Sequence, residues 1–477
     1  MIADRITAYL AEHREQMLTR LSSLCEIASV EAESEEGAPF GREVARALSR
    51  AASMFCEEGF VTEWGSDRSY FLAFFGEGDR EIGIFTHADV VPGGEGWQRT
   101  APFTPCLSDG ALVARGAEDN KGGILAALYL LMAVRDLSLP CPSRLVVFVG
   151  GNEETGMRDI EAFCREHTPP AVSFVPDNAP PFSLGEKGML RAFLVSPPVF
   201  SDVLDFRGGE ACNVVLARAT VTLRYGEALL ASLRELVSGQ EALSLQACPQ
   251  EGKILLTAVG RAAHASRPEG SRNAAAMAAE LLSRAALPAE ERRVLRTAAR
   301  YLSDPFGNTL GIGGEDAPFG RRTAVTGIVR LSEGRLFLSE DIRFGASVSA
   351  RALSAELERE AAREDFSLMT ESVSDGFDLG DSDPLAERLL SSYRRLTGET
   401  EAVPYRSGGG TYARHLPRAY SVGLSVPSVG PSCSELAALG YGGAHEKDEC
   451  LPIDSYLASL RILTEFVLLA AEGDINE

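Results

Sequence analysis

Five short stretches hold the residue types that can do chemistry: Thr86-His87-Ala88-Asp89, Glu118-Asp119-Asn120-Lys121, Asn152-Glu153-Glu154-Thr155, Pro176-Asp177-Asn178 and Gly443-Ala444-His445-Glu446. Imidazole and carboxylate together suit zinc or manganese, and five such ligands hold two ions if one carboxylate bridges them. His87 and Asp89 are two apart, so in extended chain both point to one side, and Asp89 can accept a hydrogen bond from the ring nitrogen that faces away from a metal. Glu153 and Glu154 place two carboxylates side by side after an apolar run, and their repulsion calls for something cationic. One of the two can then ligate metal while the other takes a proton from water and returns it to a leaving amine. Each stretch alone has a plainer reading, since a His-x-Asp arises by chance and a Glu pair commonly opens a solvated helix. Their joint occurrence in this order favours a metal-dependent hydrolase.

The elements around these stretches alternate. An amphipathic segment Ile6–Leu24 and another, 43–58, stopped by Gly59, precede the apolar runs Tyr70–Phe75 and Ile82–Thr86. A helix near Gly122–Val134 and strands at Leu145–Val149 and Val172–Val175 continue the pattern, which predicts an α/β layer fold with functional side chains gathered past the strand ends. From about Gly188 the texture becomes β-rich, with strands expected at Leu190–Val195, Thr220–Leu223, Ile254–Val259, Thr323–Leu331 and Arg335–Leu338, and an Ala-rich helix at Asn273–Ala286. After Asp383 an amphipathic helix, a glycine turn at 408–410 and a final helix, 454–471, follow. If that last segment completes the first domain, the middle is an inserted α+β domain.

Composition narrows the function classes. The 477 residues are 45% hydrophobic and 24% charged, values of an ordinary folded chain. A net charge of −22 disfavours nucleic acid and anionic membrane surfaces as partners, and no apolar run approaches the roughly 20 residues of a bilayer span. Nine cysteines without a Cys-x-x-Cys pair, and a start that lacks a basic, apolar leader, fit reduced thiols in a cytoplasmic protein.

The stretch His87-Ala88-Asp89-Val90-Val91-Pro92, then Gly96-Trp97, Pro102-Phe103 and Arg115 through Gly122, resembles the co-catalytic di-zinc metallopeptidases related to aminoacylases and glutamate carboxypeptidases, and within them the PepV-type dipeptidases. Glu153-Glu154-Thr155-Gly156, Gly185-Glu186-Lys187-Gly188, Gly409-Gly410-Thr411-Tyr412-Ala413-Arg414, and His445 followed by Glu449 extend the likeness over nearly the whole chain. The resemblance implies a zinc-peptidase-like three-layer α/β catalytic domain, 1–187 plus 383–477, with an inserted α+β lid at 188–382. It implies two divalent ions, zinc with manganese or cobalt as alternatives: His87 and Asp177 on one, Glu154 and His445 on the other, Asp119 bridging. Asp89 would orient His87, and Glu153 would be the general base. In the lid, His264 would stabilise the oxyanion, a role spacing alone does not suggest, while Asn213 and Arg343 would bind substrate and Gly410 and Thr411 would meet its carboxylate.

The activity implied is hydrolysis of dipeptides with a free N-terminus, through a metal-bridging hydroxide, by a monomer that supplies its own lid histidine, with a homodimer as the alternative. An N-acyl amino-acid deacylase or carboxypeptidase would use the same site, and an inactive metal- or peptide-binding relative would have lost a ligand or Glu153, none of which is lost. Two departures fall in the lid: no Pro-Asp follows Asn213-Val214-Val215, and Phe344-Gly345 stands where Arg-x-Pro is usual, so substrate preference is more open than metal chemistry. Asn120 replaces a common Asp and is expected to keep the turn. His13, His167 and His415 match no ligand position.

Overall fold

The structure, a computed structural model, describes residues 2–431 and 433–473, without the side chains of Cys433 and Ser434. The chain divides into two compact units, Met1–Gly185 with Leu379–Glu477, and Glu186–Asp378. Of the nine cysteines, Cys433 lies outside the described side chains, and the other eight are free thiols. Among the described residues no helix is long and apolar enough to cross a membrane.

In the first unit a mixed sheet runs in the order Val61–Trp64, Tyr70–Phe75, Arg144–Gly150, Glu81–His87, Val172–Asn178, Ala419–Gly423, Ser183–Glu186. Its centre is parallel: Glu81–His87 pairs in parallel with Arg144–Gly150 and with Val172–Asn178, and the latter with Ala419–Gly423. Side chains alternate between two covered faces, as buried parallel strands require. Ile82, Ile84, Leu145, Val147 and Val149 join the core built with the helices Gly122–Asp136 and Ile453–Ala471. On the opposite face Phe85 and Tyr70 each stack on Phe148 (ring centroids 5.1 Å apart), and Phe163 of the helix Arg158–Glu166 meets Phe148 edge-on at 5.3 Å. Helix, sheet, helix is the layered α/β arrangement.

The second unit is an antiparallel sheet in the order Leu243–Cys248, Lys253–Val259, Arg218–Arg224, Val203–Gly208, Val329–Ser332, Arg335–Phe344, Gly188–Val195, Ser367–Ser374. The helices Ala274–Leu282 and Ala289–Leu302 share its core. Asn273 starts the first of them, its side chain accepting from the N–H groups of Ala275 and Ala276.

Two expected elements prove to be broken. The segment Ile6–Leu24 is two helices, Ile2–Glu12 and Arg14–Cys25, which part at His13, where the ring Nδ1 (2.8 Å) and the backbone N–H (3.1 Å) converge on the Tyr9 carbonyl. The segment Thr323–Leu331 is two strands, Thr323–Val325 and Val329–Ser332, both paired with Arg335–Phe344. Between them Gly327 runs so close to the Ala211 carbonyl that an added Cβ would stand 2.1 Å from its oxygen, and the Ser339 hydroxyl accepts from the Ile328 N–H at 2.8 Å. The helix expected over Asn273–Ala286 stops at Leu282.

Phe148, on the strand that leads to the Glu153-Glu154 pair, makes four aromatic contacts, with Tyr70, Phe85, Phe163 and Tyr412. Phe148→Ala should therefore lower the unfolding free energy of the protein by about 3–5 kcal/mol, measured by denaturant titration against wild type.

Candidate functional site

The parallel strands Glu81–His87, Arg144–Gly150 and Val172–Asn178 all end at one edge of the sheet, and each delivers a polar residue there. His87 closes the first, Asn152-Glu153-Glu154 follows the second, and Asp177 ends the third. Asp119 comes from the turn 117–121, directly before the buried helix Gly122–Asp136. His445 comes from a loop near the last helix, with its backbone in the left-handed region (φ +66°). The structure brings all seven sequence-predicted groups of this unit together: His87, Asp89, Asp119, Glu153, Glu154, Asp177 and His445.

Asp119 sits at the centre. One carboxylate oxygen is 3.0 Å from His87 Nε2 and the other 3.1 Å from His445 Nε2. His87 Nε2 also lies 3.7 Å from Asp177, and His445 Nε2 lies 2.9 Å from Glu154. Two groups of three could each hold a cation, His87 with Asp119 and Asp177, and Asp119 with Glu154 and His445, the ligand atoms of each lying within 4.8 Å of one another. Glu154 Oε1 is buried with no hydrogen-bond partner, an acceptor placed as a cation ligand would be. Nitrogen and carboxylate donors of this kind fit zinc or manganese.

Burial and crowding set the electrostatics. Glu153 is held well above the usual carboxylate range by burial and by the nearby charge of Asp177. Burial, with Asp119 adding repulsion, pushes Glu154 up to about 7 and Asp177 to about 6. Asp119 moves the other way, because the two imidazoles stabilise its charge despite burial. His445, bonded to Asp119 and Glu154, is raised to about 11. Protons and imidazolium charge fill the role that divalent cations would take.

Asp89 does more than the sequence suggests. His87 Nδ1 lies 3.0 Å from the Asp89 backbone carbonyl and 3.4 Å from its carboxylate. The carboxylate accepts the backbone N–H groups of Glu153 (3.2 Å) and Glu154 (3.1 Å), so one residue fixes both the histidine ring and the turn carrying the two glutamates.

Asp159 goes unread in the sequence, and several residues that stand there only as part of the likeness prove to have roles in the site. Glu449, fully buried, accepts from the N–H groups of Gly116, Glu118 and Asp119 and pairs with Arg115 at 2.6 Å, while Arg115 also donates to the His445 carbonyl. Asp159 accepts from the Asn152 N–H (2.8 Å) and from the Tyr412 hydroxyl, and the Tyr412 ring meets His87 edge-on at 6.3 Å. Asn120 does more than keep a turn: its amide donates to Asp177 at 3.0 Å, and a Cβ on Gly123 would fall 2.2 Å from the Asn120 side-chain oxygen. The partners of Glu449 are some 330 positions away along the chain, which leaves no local spacing to find.

Thr411 caps the turn Tyr412–His415, accepting from the Ala413 N–H at 3.1 Å, and Gly410 leaves room for the Arg414 guanidinium, which an added Cβ would overlap. The three remaining candidates belong to the second unit. Asn213 and His264 lie on facing segments, with the Ala265 N–H donating to the Asn213 carbonyl at 2.8 Å and His264 Nδ1 2.8 Å from the Ser266 hydroxyl. Arg343 is 4% exposed, and two of its guanidinium nitrogens hold the Asp341 carboxylate at 2.5 and 3.0 Å.

The sequence profile described as "Peptidase family M20/M25/M40" matches residues 83–469. Among curated proteins, "Putative dipeptidase YtjP" of Bacillus subtilis (strain 168) is 29% identical over 441 residues, covering 90% of this chain and 91% of that one. "Putative dipeptidase SH1171" of Staphylococcus haemolyticus is 27% identical over 427 residues, covering 86% and 90%. Among solved structures, human carnosine dipeptidase 1 shares the fold with a TM-score of 0.60 at 15% identity over 99% of both chains. The di-peptidase Dug1p of Saccharomyces cerevisiae shares it equally, at TM-score 0.60 and 13% identity over 99% of both chains.

Two outcomes follow from the geometry. Glu154, Asp177, His87 and His445 have folded pKa values above their unfolded ones, so across this cluster between pH 5 and 8 the folded metal-free protein binds more protons than the unfolded chain. Its stability must then fall as pH rises. A melting series on chelated protein should show the midpoint dropping over that window, with the drop suppressed by added zinc. Replacing Glu449 by Ala strands the buried Arg115 cation and three N–H groups, and should cost about 3–5 kcal/mol, read from denaturant unfolding.

Proposed function

The chain belongs to peptidase family M20/M25/M40, and from that premise we propose that it is a PepV-type dipeptidase, a cytoplasmic monomer that cleaves dipeptides bearing a free amino terminus at a centre of two divalent ions, zinc before manganese or cobalt. The observation that carries this reading is the position of Asp119, one oxygen toward His87 and the other toward His445, each side completed by one further carboxylate. His87 and Asp177 would hold one ion, Glu154 and His445 the other, and Asp119 both. Bound there, divalent ions supply Lewis acidity for the scissile carbonyl and for the attacking water.

The chain's own groups do the rest. Glu153, half-buried and raised in pKa by its surroundings, accepts the proton of the attacking water as the new C–O bond forms and delivers it to the departing amine nitrogen as the peptide C–N bond then breaks. Asp89 keeps Glu153 and Glu154 in register by holding their adjacent N–H groups, and it holds the His87 ring from behind through its carbonyl. Asn120 steadies Asp177. In the inserted unit, read as a lid, His264 would donate to the oxyanion, and Asn213 and Arg343 would bind the substrate, with Gly410 and Thr411 of the first unit meeting its carboxylate. Arg343 would have to exchange Asp341 for the substrate carboxylate to do so.

Chelated and zinc-reloaded protein should release free amino acids from a panel of unblocked dipeptides. Glu153→Gln should lose about 10²–10⁴-fold in kcat while keeping its metal content. Cleavage confined to the N-acetylated counterparts would replace the reading with a deacylase, and metal-loaded protein inert on both panels would replace it with a binding protein.

A further inference from the structure

A cavity of about 480 Å³ lies in the second unit, bordered by the helices Ala274–Leu282 and Ala289–Leu302 and the strand Thr323–Val325. It uses none of the residues assigned to metal or to substrate. Its buried lining carries no charge and is mainly apolar, with Val215, Ala276, Ala299 and Val325 beside the polar Asn273 and Thr326, and the partly buried Met277 adds further apolar surface. Its mouth is basic, formed by Arg272, Arg296 and Arg300. Arg300 is committed to Glu364 at 2.8 Å, and the one acid of the lining, Glu280, lies 3.6 Å from Arg284. Arg272 and Arg296 are exposed, and neither guanidinium has an ion-pair partner among the described residues.

Two uncommitted guanidinium groups at one apolar opening are a selective arrangement on a chain with 68 acidic against 46 basic side chains. An inorganic anion would satisfy the arginines and leave the apolar interior unfilled. A neutral hydrocarbon would fill the interior and leave the arginines unused. A cationic amphiphile would be repelled at the mouth. The volume is in the range of pockets that enclose a small organic ligand. We propose that this cavity binds an anionic amphiphile, a carboxylate on an apolar chain of medium length, with the chain against Met277 and Val325 and the carboxylate held by Arg272 and Arg296. The proposal stands on the cavity alone and does not depend on the reaction catalysed in the first unit.

Calorimetric titration of the full chain with octanoate tests it, beside acetate, octylammonium and 1-octanol as separate arms. Octanoate should bind saturably at one site, acetate and octylammonium should not bind, and 1-octanol should bind at least about tenfold more weakly for want of a charged partner. Arg272→Glu and Arg296→Glu are surface changes, checked for folding by thermal melting, and each should weaken octanoate about tenfold or more. Met277→Trp, which fills the cavity, should abolish binding. Octanoate affinity equal to that of 1-octanol, affinity unchanged in both arginine variants, or no binding of octanoate to folded wild type would each overturn the proposal.

Discussion

Carboxylate groups crowded at the end of a buried sheet are the constraint from which the rest of the first unit follows. Asp119, Glu153, Glu154 and Asp177 converge around two imidazoles, and burial, with the like charges adding repulsion, lifts three of the four acids above their ordinary range. Water cannot screen them well at that depth, so the cluster persists only with protons, imidazolium or divalent cations among its members. A fold that merely needed a stable core would bury apolar groups there. The cluster is a standing electrostatic cost that the layered core around it must offset, and a bound cation is what turns that cost into affinity.

The scaffold meets the constraint with backbone rather than with further charge. Parallel strands end in register at one edge, which sets His87, Glu153 and Asp177 side by side without any long loop. The remaining carboxylates outside the central cluster act as acceptors for main-chain N–H groups: Asp89 for Glu153 and Glu154, Asp159 for Asn152, Glu449 for the turn that carries Asp119. Arg115 then joins Glu449 to the His445 loop. The acids near the centre thus divide into those that face it and those that hold the backbone of the ones that do.

Much of this could be read from residue order, and the limits have physical reasons. His87-x-Asp89, the Glu153-Glu154 pair and Asp177 are legible because each sits just past an apolar run whose end is visible locally. The α/β alternation and the β-rich insertion are legible for the same reason, as periodicity needs only near neighbours. The role of Glu449 is not, although the residue stands in the likeness after His445, because what makes it part of the site is a set of hydrogen bonds to residues more than 300 positions away. Nor is the break inside Thr323–Leu331, which comes from Gly327 passing against the Ala211 carbonyl rather than from anything in its own segment. The two-residue spacing makes Asp89 a partner of the His87 ring, and its carboxylate proves to serve mainly the two glutamate N–H groups. Arg343 shows a further limit: its type suits carboxylate recognition, while the carboxylate it holds in the structure is Asp341 of its own strand.

The most direct test of the electrostatic account is the metal content of the purified chain after chelation and reloading, measured by inductively coupled plasma mass spectrometry on wild type and on Asp119→Asn. Wild type should retain two divalent ions per chain through gel filtration, and Asp119→Asn, which removes the one carboxylate shared by both groups, should lose both or retain a single weakly held ion. Full retention by Asp119→Asn, or a wild type that keeps no ion while remaining folded across neutral pH, would contradict the claim that this carboxylate cluster exists to hold cations.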